Sequence, residues 1–131
     1  MAATSSVPTG VRLLAEYAEL QGAWASEPGR REAKLLIAGN RYTFEFRGEV
    51  YMGSFTLDPH DVPKRIDMHI EEGPPEHRGL TAYCIYQRDG DVLRWCPSRP
   101  GSPDRLYRFP TEEDSRYLSL IFRPTRSSRG G

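Results

Sequence analysis

Residues 51–73, YMGSFTLDPHDVPKRIDMHIEEG, form two runs of alternating apolar and polar residues on either side of a loop that contains two prolines. In the second run Ile66, Met68 and Ile70 occupy every other position. Such alternation is typical of a β-strand that buries one face, because successive side chains point to opposite sides. The stretch therefore predicts two neighbouring strands joined by the loop 58–63.

The same period of two continues along most of the chain. Turn signals at residues 39–40, 48 and 89–90 separate the alternating runs, and turns of this kind favour antiparallel hairpins between consecutive strands. A helical pattern precedes them, starting at a capping Thr9 and ending at Gly22. We predict an all-β fold, an antiparallel up-and-down barrel of eight or nine strands with a short N-terminal helix.

The barrel domain is predicted to span residues 9–124. The small and polar residues 1–8 predict a disordered lead, and residues 125–131 predict a mobile tail. Near the end of the chain, residues 105–109 (RLYRF) and 117–123 (YLSLIFR) each predict a strand.

The hairpin at residues 89–90 also predicts which side chains share a face. If Arg88 pairs with Asp91, Cys84 and Cys96 point to opposite faces of the sheet, which disfavours a disulfide between them. The same register places Cys84 opposite Trp95 and Tyr86 opposite Leu93.

Composition places the protein in a broad class. The chain has 131 residues, of which 37% are hydrophobic and 27% charged, as in a single soluble globular domain. Eighteen basic residues balance eighteen acidic ones, so no net field would attract nucleic acid or an anionic membrane. No signal peptide or membrane span is expected, and two cysteines are too few for a disulfide framework. We therefore expect a cytoplasmic protein with free thiols.

Three acidic or imidazole side chains alternate with the apolar positions of residues 66–70. Asp67, His69 and Glu71 are expected on the outer wall, about 7 Å apart along one strand, which is too far for three ligands to converge on one metal ion. A second cluster of Asp58, His60 and Asp61 is expected in the loop 58–63, and His77 is expected at the tip of another loop. Asp58 is expected to hydrogen-bond its own loop backbone, and whether the histidines meet is left open.

Familiar catalytic and cofactor motifs are missing from the sequence. It contains no nucleophile elbow, phosphate-binding loop, dinucleotide fingerprint or zinc-type cysteine pattern. We therefore assign no catalytic residue, no metal and no cofactor. An enzyme that uses Tyr86 or a histidine as acid or base is the weakest of three alternatives.

Three segments together resemble a known family. They are LQGAW (20–24), GSFTLDPHDVPKRIDMHIEEG (53–73) and YCIYQRDGDVLRWC (83–96). The chain resembles a lipocalin-like domain family of planctomycete bacteria, in which Gly-Thr-Phe-x-Leu-Asp-Pro, Pro-Lys-x-Ile-Asp, Glu-Gly and Asp-Gly-Asp motifs recur. Here Ser54 replaces the threonine, and Leu106 stands where a proline is usual.

The resemblance implies a lipocalin-like barrel with an interior pocket, and it supplies no catalytic residue. It also implies that Trp24 closes one barrel end beneath Arg123. An arginine over an indole gains about 0.5–2 kcal/mol from the cation–π contact, and an unpaired, solvated Arg123 is the alternative.

The barrel interior is the main candidate site. Large side chains are predicted to point inward and to line a ligand site: Tyr42, Phe44, Phe46, Met52, Met68, Tyr86 and Trp95. An eight-stranded barrel can be filled by such side chains or can hold one small ligand. The leading hypothesis is non-catalytic binding of a small apolar or aromatic molecule. The alternative is a protein-interaction module with a filled core, which acts through its outer wall and its loops, best of all the loop 97–104 with Arg99 and the nearby Arg105.

Overall fold

The computed structural model describes residues 9–26, 32–60, 62–102, 105, 108–109 and 119–125. Helix α1 is Thr9–Leu20, and a single turn of 3-10 helix covers Pro75–His77. The strands are β1 Gly22–Ser26, β2 Ala33–Ala38, β3 Arg41–Phe46, β4 Glu49–Asp58, β5 Lys64–Glu72, β6 Thr81–Asp89, β7 Val92–Cys96 and β8 Leu120–Pro124.

Each strand pairs antiparallel with the next one in sequence, and β8 pairs with β1 to close the barrel. The predicted up-and-down barrel with one N-terminal helix is confirmed, with eight strands. Alternation is the local cause, because β2 and β5 bury every other side chain. One inward residue from each strand, in order, is Trp24, Leu35, Phe44, Phe55, Met68, Cys84, Trp95 and Phe122.

Helix α1 covers one end of the barrel. Leu20 is buried in the core, and the Tyr17 ring stacks on Phe55 of β4 with 5.3 Å between ring centroids. The Glu16 carboxylate accepts hydrogen bonds from Tyr86 and Lys64, which lie where β6 ends and β5 begins. We call this the helix end. The opposite end, at the Arg47–Gly48 turn and the loop 73–80, is the far end.

The β6–β7 hairpin differs from its predicted register. Asp89 pairs with Val92 and Tyr86 with Trp95, so the two turn residues are Gly90 and Asp91. Gly90 has φ 64°, while no positive φ occurs at Asp89 or Asp91. Glycine at the first central position is typical of a type II′ turn, whereas the predicted turn would need a positive φ at Asp89.

The hairpin shift of two residues leaves every side chain on its predicted face. Cys84 therefore still points into the core, and Cys96 lies buried on the outer side of the sheet. Both cysteines are free thiols.

Met52 was predicted to point inward, and this prediction is wrong. Its side chain lies on the outer wall and is 40% exposed, whereas Tyr51 and Phe55 face the core. Gly53 occupies the inward position between them. Because a glycine contributes no side chain to the apolar face, the alternation of β4 is hidden in the sequence.

The segments near the chain ends extend only partly into the described residues. Arg105, Arg108 and Phe109 of the predicted strand 105–109 are not in a strand, and the other residues of that segment lie outside the description. Thr125, the first residue of the predicted tail, donates hydrogen bonds to the Ala23 carbonyl from its amide at 2.9 Å and from its hydroxyl at 3.0 Å. Residues 1–8 and 126–131 lie outside the described residues.

Candidate functional site

Aromatic rings cross the interior in the half of the barrel near the far end. The Phe44 ring of β3 meets the Trp95 ring of β7 edge to face, with 4.7 Å between centroids. Phe44 also lies 6.1 Å from Tyr51, and Trp95 lies 6.1 Å from Phe122. Since β3 and β7 stand on opposite walls, these rings close the interior at this level.

One polar atom inside this ring cluster lacks a hydrogen-bond partner. Trp95 is 3% exposed, and its indole Nε1–H has no partner among the described residues. The indole N–H lies close enough to the Cys84 thiol to lower its pKa slightly, but the two groups do not meet in hydrogen-bonding geometry. In native proteins almost all buried donors have a hydrogen-bond partner, so a buried donor without one is a position where a water molecule or a ligand can bind.

The two buried phenols are already engaged by the protein. Tyr86 donates to the Glu16 carboxylate at 2.9 Å, and Tyr42 donates to the His69 carbonyl at 3.2 Å. Burial raises the pKa of both phenols, and the hydrogen bond to Glu16 raises that of Tyr86 further. Both hydroxyls therefore stay protonated at neutral pH, which makes Tyr86 a poor general base.

The predicted interior residues are thus brought together with one exception. Tyr42, Phe44, Met68, Tyr86 and Trp95 are buried in one core cluster, and Phe46 packs against it, partly exposed. Met52 is the exception, on the outer wall.

Arg88 lies beside Trp24. Its guanidinium carbon lies 5.6 Å from the centroid of the indole, and the indole N–H donates to the Leu20 carbonyl at 3.0 Å. Arg123 is half exposed, with its guanidinium 4.0 Å from the Asp91 carboxylate. The predicted pair of Trp24 with Arg123 remains a prediction. Sequence reasoning missed Arg88 because periodicity along a strand gives no information on contacts between distant strands.

The outward row on β5 is divided among three separate partners. Asp67 forms an ion pair with Arg105 at 2.6 Å, and Glu71 forms one with Arg41 at 2.6 Å. His69 shares a hydrogen bond of 2.8 Å with the Thr81 hydroxyl. Over the described ranges no group of three His, Cys, Asp or Glu side chains is arranged to hold a metal ion.

The loop histidines also have separate surroundings. The His77 ring lies at the far end, where its Nδ1 is 3.0 Å from the Tyr51 hydroxyl. His60 is exposed, and its backbone amide donates to the Asp58 carboxylate at 3.3 Å. This is the turn predicted for Asp58, while Asp61 lies outside the described residues.

Arg105 is held against the barrel wall. Its guanidinium pairs with Asp67, donates to the Cys84 carbonyl at 3.1 Å and lies over the Tyr83 ring. With its side chain mostly buried, Arg105 is poorly placed to make the contacts that were predicted for the 97–104 loop region, whereas Arg99 is exposed.

A groove on the outer wall was not predicted. It has a volume of about 350 Å³ and lies between β4, β5 and the start of the loop after β5. Its lining consists of Glu49, Val50, Met52, Glu72, Gly73 and Pro74. The sequence signal was the outward pair Val50 and Met52, which is legible only once Gly53 is assigned to the inner face.

Comparison of the chain with protein-family models, with curated proteins and with solved structures found no match. Among the residues that the structure describes, no helix has both the length and the apolar character needed to cross a membrane.

Proposed function

We propose that the protein binds a small apolar or aromatic molecule inside the barrel and does so without catalysis. The resemblance to the planctomycete lipocalin-like family supports this proposal, since that resemblance implies a pocket. We also propose a cytoplasmic location, because both cysteines are free and a reducing compartment keeps thiols in that state.

The observation that carries the proposal is the orphaned indole N–H of Trp95. Leaving a buried donor unpaired costs about 1–3 kcal/mol. A ligand that carries one acceptor and otherwise packs against rings would remove this cost. Tyr42 and Tyr86 offer no equivalent handle, because both hydroxyls already donate to protein groups.

The ligand would enter from the far end. Helix α1 covers the other end with Leu20 and Tyr17. Because Phe44 and Trp95 are in contact, binding separates these two rings and exchanges ring–ring contacts for ring–ligand contacts. The exchange costs little when the ligand is itself aromatic.

Methionine methyl groups make the proposal testable by NMR. The chain has three methionines, of which Met68 is buried in the core and Met52 lies on the outer wall. Protein labelled in its methionine methyl groups is titrated with fluorenone, a flat aromatic ketone, and with fluorene, its hydrocarbon analogue. We expect saturable shifts of the Met68 signal, with fluorenone binding about fivefold more tightly because its carbonyl accepts the Trp95 N–H.

Trp95→Phe is the matched variant, and Trp24→Phe is its control. The first substitution should abolish the preference for the ketone, and the second should preserve it. Saturation of the Met52 signal without the Met68 signal would contradict interior binding. So would the absence of a Met68 response together with no retained small molecule in native mass spectrometry of protein purified from its own host.

A further inference from the structure

The outer-wall groove, here called the β4–β5 groove, lies beside an irregularity in the register of its two strands. Met52 pairs with Glu72, but the adjacent Gly53 pairs with Ile70, so Glu71 is an extra residue on β5. A bulge of this kind bends its strand and increases the local twist, and bulges are frequent beside functional sites. The bulge lies next to the paired residues Met52 and Glu72, which line the groove together with Pro74.

The floor of the groove is apolar and exposed. Val50 and Met52 are 41% and 40% exposed. Through the register of β2 to β4, Leu36 lies beside Thr43, which in turn lies beside Met52, and Leu36 is also exposed. Single exposed apolar residues are common. Here Val50 and Met52 share one face of β4, and Leu36 lies on the same wall with Thr43 between, so the exposed apolar residues are clustered, as on a contact surface. Methionine adapts its shape to different partners, which suits such a surface.

The rim of the groove is acidic. Glu49 and Glu72 are exposed, and neither forms an ion pair with any residue in the described part of the chain, in contrast to the neighbouring Glu71 with its partner Arg41. After burial, which has the largest effect, the charges of Glu49 and Glu76 and a hydrogen bond with Glu49 raise the pKa of the Tyr51 phenol. Arginines lie nearby as well, since Arg78 donates to the carbonyl of the lining residue Gly73 and Glu72 acts electrostatically on Arg41. The carboxylates of Glu49 and Glu72 are therefore the acidic groups that the groove offers to a partner.

The closed barrel restricts the way in which a partner can be held. Since β1 pairs with β8, no whole strand of the barrel is left as an open edge. On the side toward β5 only Glu49–Tyr51 of β4 extend past the register, which begins at Met52. Such a short segment offers few backbone hydrogen bonds to an added strand, so recognition is expected mainly from side chains. A carboxylate rim suits arginine, whose guanidinium binds carboxylates through two parallel hydrogen bonds, and the apolar floor suits an aliphatic side chain beside it.

We propose that the β4–β5 groove binds an extended, arginine-rich segment of a partner protein, with an aliphatic side chain on Val50 and Met52 and flanking arginines on Glu49 and Glu72. The inference does not depend on a ligand in the interior. A contact of this size is well below that of a stable interface, so we expect dissociation constants of about 10 µM to 1 mM. Binding should weaken when salt rises from about 50 mM to about 500 mM.

The test uses the full chain labelled in its methionine methyl groups and a short peptide in which arginine alternates with leucine. The Met52 signal should shift saturably, and the Met68 signal should stay in place. Two control peptides replace the arginines by glutamate or the leucines by serine, and both should bind at least fivefold more weakly. Response of Met68 alone would assign the peptide to the interior and overturn the groove.

Surface variants locate the contact without threatening the fold. Glu49→Gln combined with Glu72→Gln should lower the affinity at least fivefold, whereas Glu19→Gln, on α1 at the helix end, should leave it unchanged. Val50→Ser should weaken binding, and Ile121→Ser, which changes a similarly exposed residue on β8 (38% exposed), should not. Equal affinity for the groove variants and their controls would overturn the proposal, as would saturable binding that leaves Met52 unshifted.

Discussion

Gly53 lies where the backbone of β5 occupies the space that a side chain on β4 would need. A Cβ atom at this position would collide with the backbone carbonyl oxygen of His69. The backbone of Gly53 has no positive φ, so glycine is needed here because there is no room for a side chain. At Gly48, by contrast, glycine is favoured by the backbone conformation of the turn. The same residue explains both the hidden alternation of β4 and the bulge beside the groove, because the close approach occurs where the register shifts.

Gly53→Ala is expected to lower the free energy of unfolding by about 2–4 kcal/mol, since the strands must separate to make room for the methyl group. Gly48→Ala is the comparison. Gly48 has φ 80° and open space around the position of a Cβ, so its substitution should cost only about 1–2 kcal/mol of backbone strain. Urea unfolding of both variants measures the difference. A loss for Gly53→Ala equal to or smaller than that for Gly48→Ala would show that β4 and β5 can part freely.

At the level of elements, the Glu16 carboxylate links α1 to two strands of the barrel. Glu16 accepts a hydrogen bond of 2.8 Å from Lys64 on β5 and one of 2.9 Å from Tyr86 on β6. The Glu16 side chain is mostly buried at 19% exposure, and bonds to a charged acceptor contribute more when solvent is partly excluded. The second ion pair of the helix, Glu19 with Arg88, is longer at 3.9 Å and more exposed.

Glu16→Ala is expected to reduce stability by about 1–3 kcal/mol, because it leaves Lys64 and the Tyr86 hydroxyl without their acceptor. Glu19→Ala should cost less than about 1 kcal/mol, as is usual for a surface pair. A double-mutant cycle of Glu16→Ala with Tyr86→Phe, measured by urea unfolding, should give a coupling energy of at least about 0.5 kcal/mol. Additive losses in the cycle would mean that the hydrogen bond does not hold the helix.

Across the whole molecule, the sequence was sufficient for the fold and for much of the interior. Alternation in β2, β3 and β5 indicates strands that bury one face, as in the closed barrel, and it correctly assigns residues such as Phe44 and Met68 to the inner face. This works because the alternation can be recognised within each strand, without knowledge of its neighbours. Three features could not be read from the alternation of apolar residues. The β6–β7 register followed from turn type, the groove lies beside a bulge, and the contact of Arg88 with Trp24 follows from closure of the barrel, which brings distant strands together.

Closure of the barrel also buries thiols and phenols, which are weak acids, and this makes the protein less stable at alkaline pH. Burial raises the pKa of the Cys84 thiol to about 12, from an ordinary value of 9.0. Burial likewise raises the pKa of the Cys96 thiol and of the Tyr42 and Tyr86 phenols. Above pH 9 the unfolded chain therefore releases protons that the native protein keeps. The unfolded state then binds fewer protons, so the free energy of unfolding falls as pH rises.

The buried, protonated Cys84 thiol should make its full contribution to stability below pH 9, and this contribution should fall as the pH rises to about 12. Between these values the free energy of unfolding should decrease by up to about 1.4 kcal/mol per pH unit because of this group. Urea unfolding under reducing conditions from about pH 7 to about pH 11 measures this slope. Cys84→Ala should be less stable than the wild type at neutral pH, because it leaves a cavity, yet it should lose stability less steeply above pH 9, because one titrating group is gone. Equal slopes for the two proteins would mean that the thiol is not sealed inside the barrel, and the ring cluster around Trp95 would then be open to solvent as well.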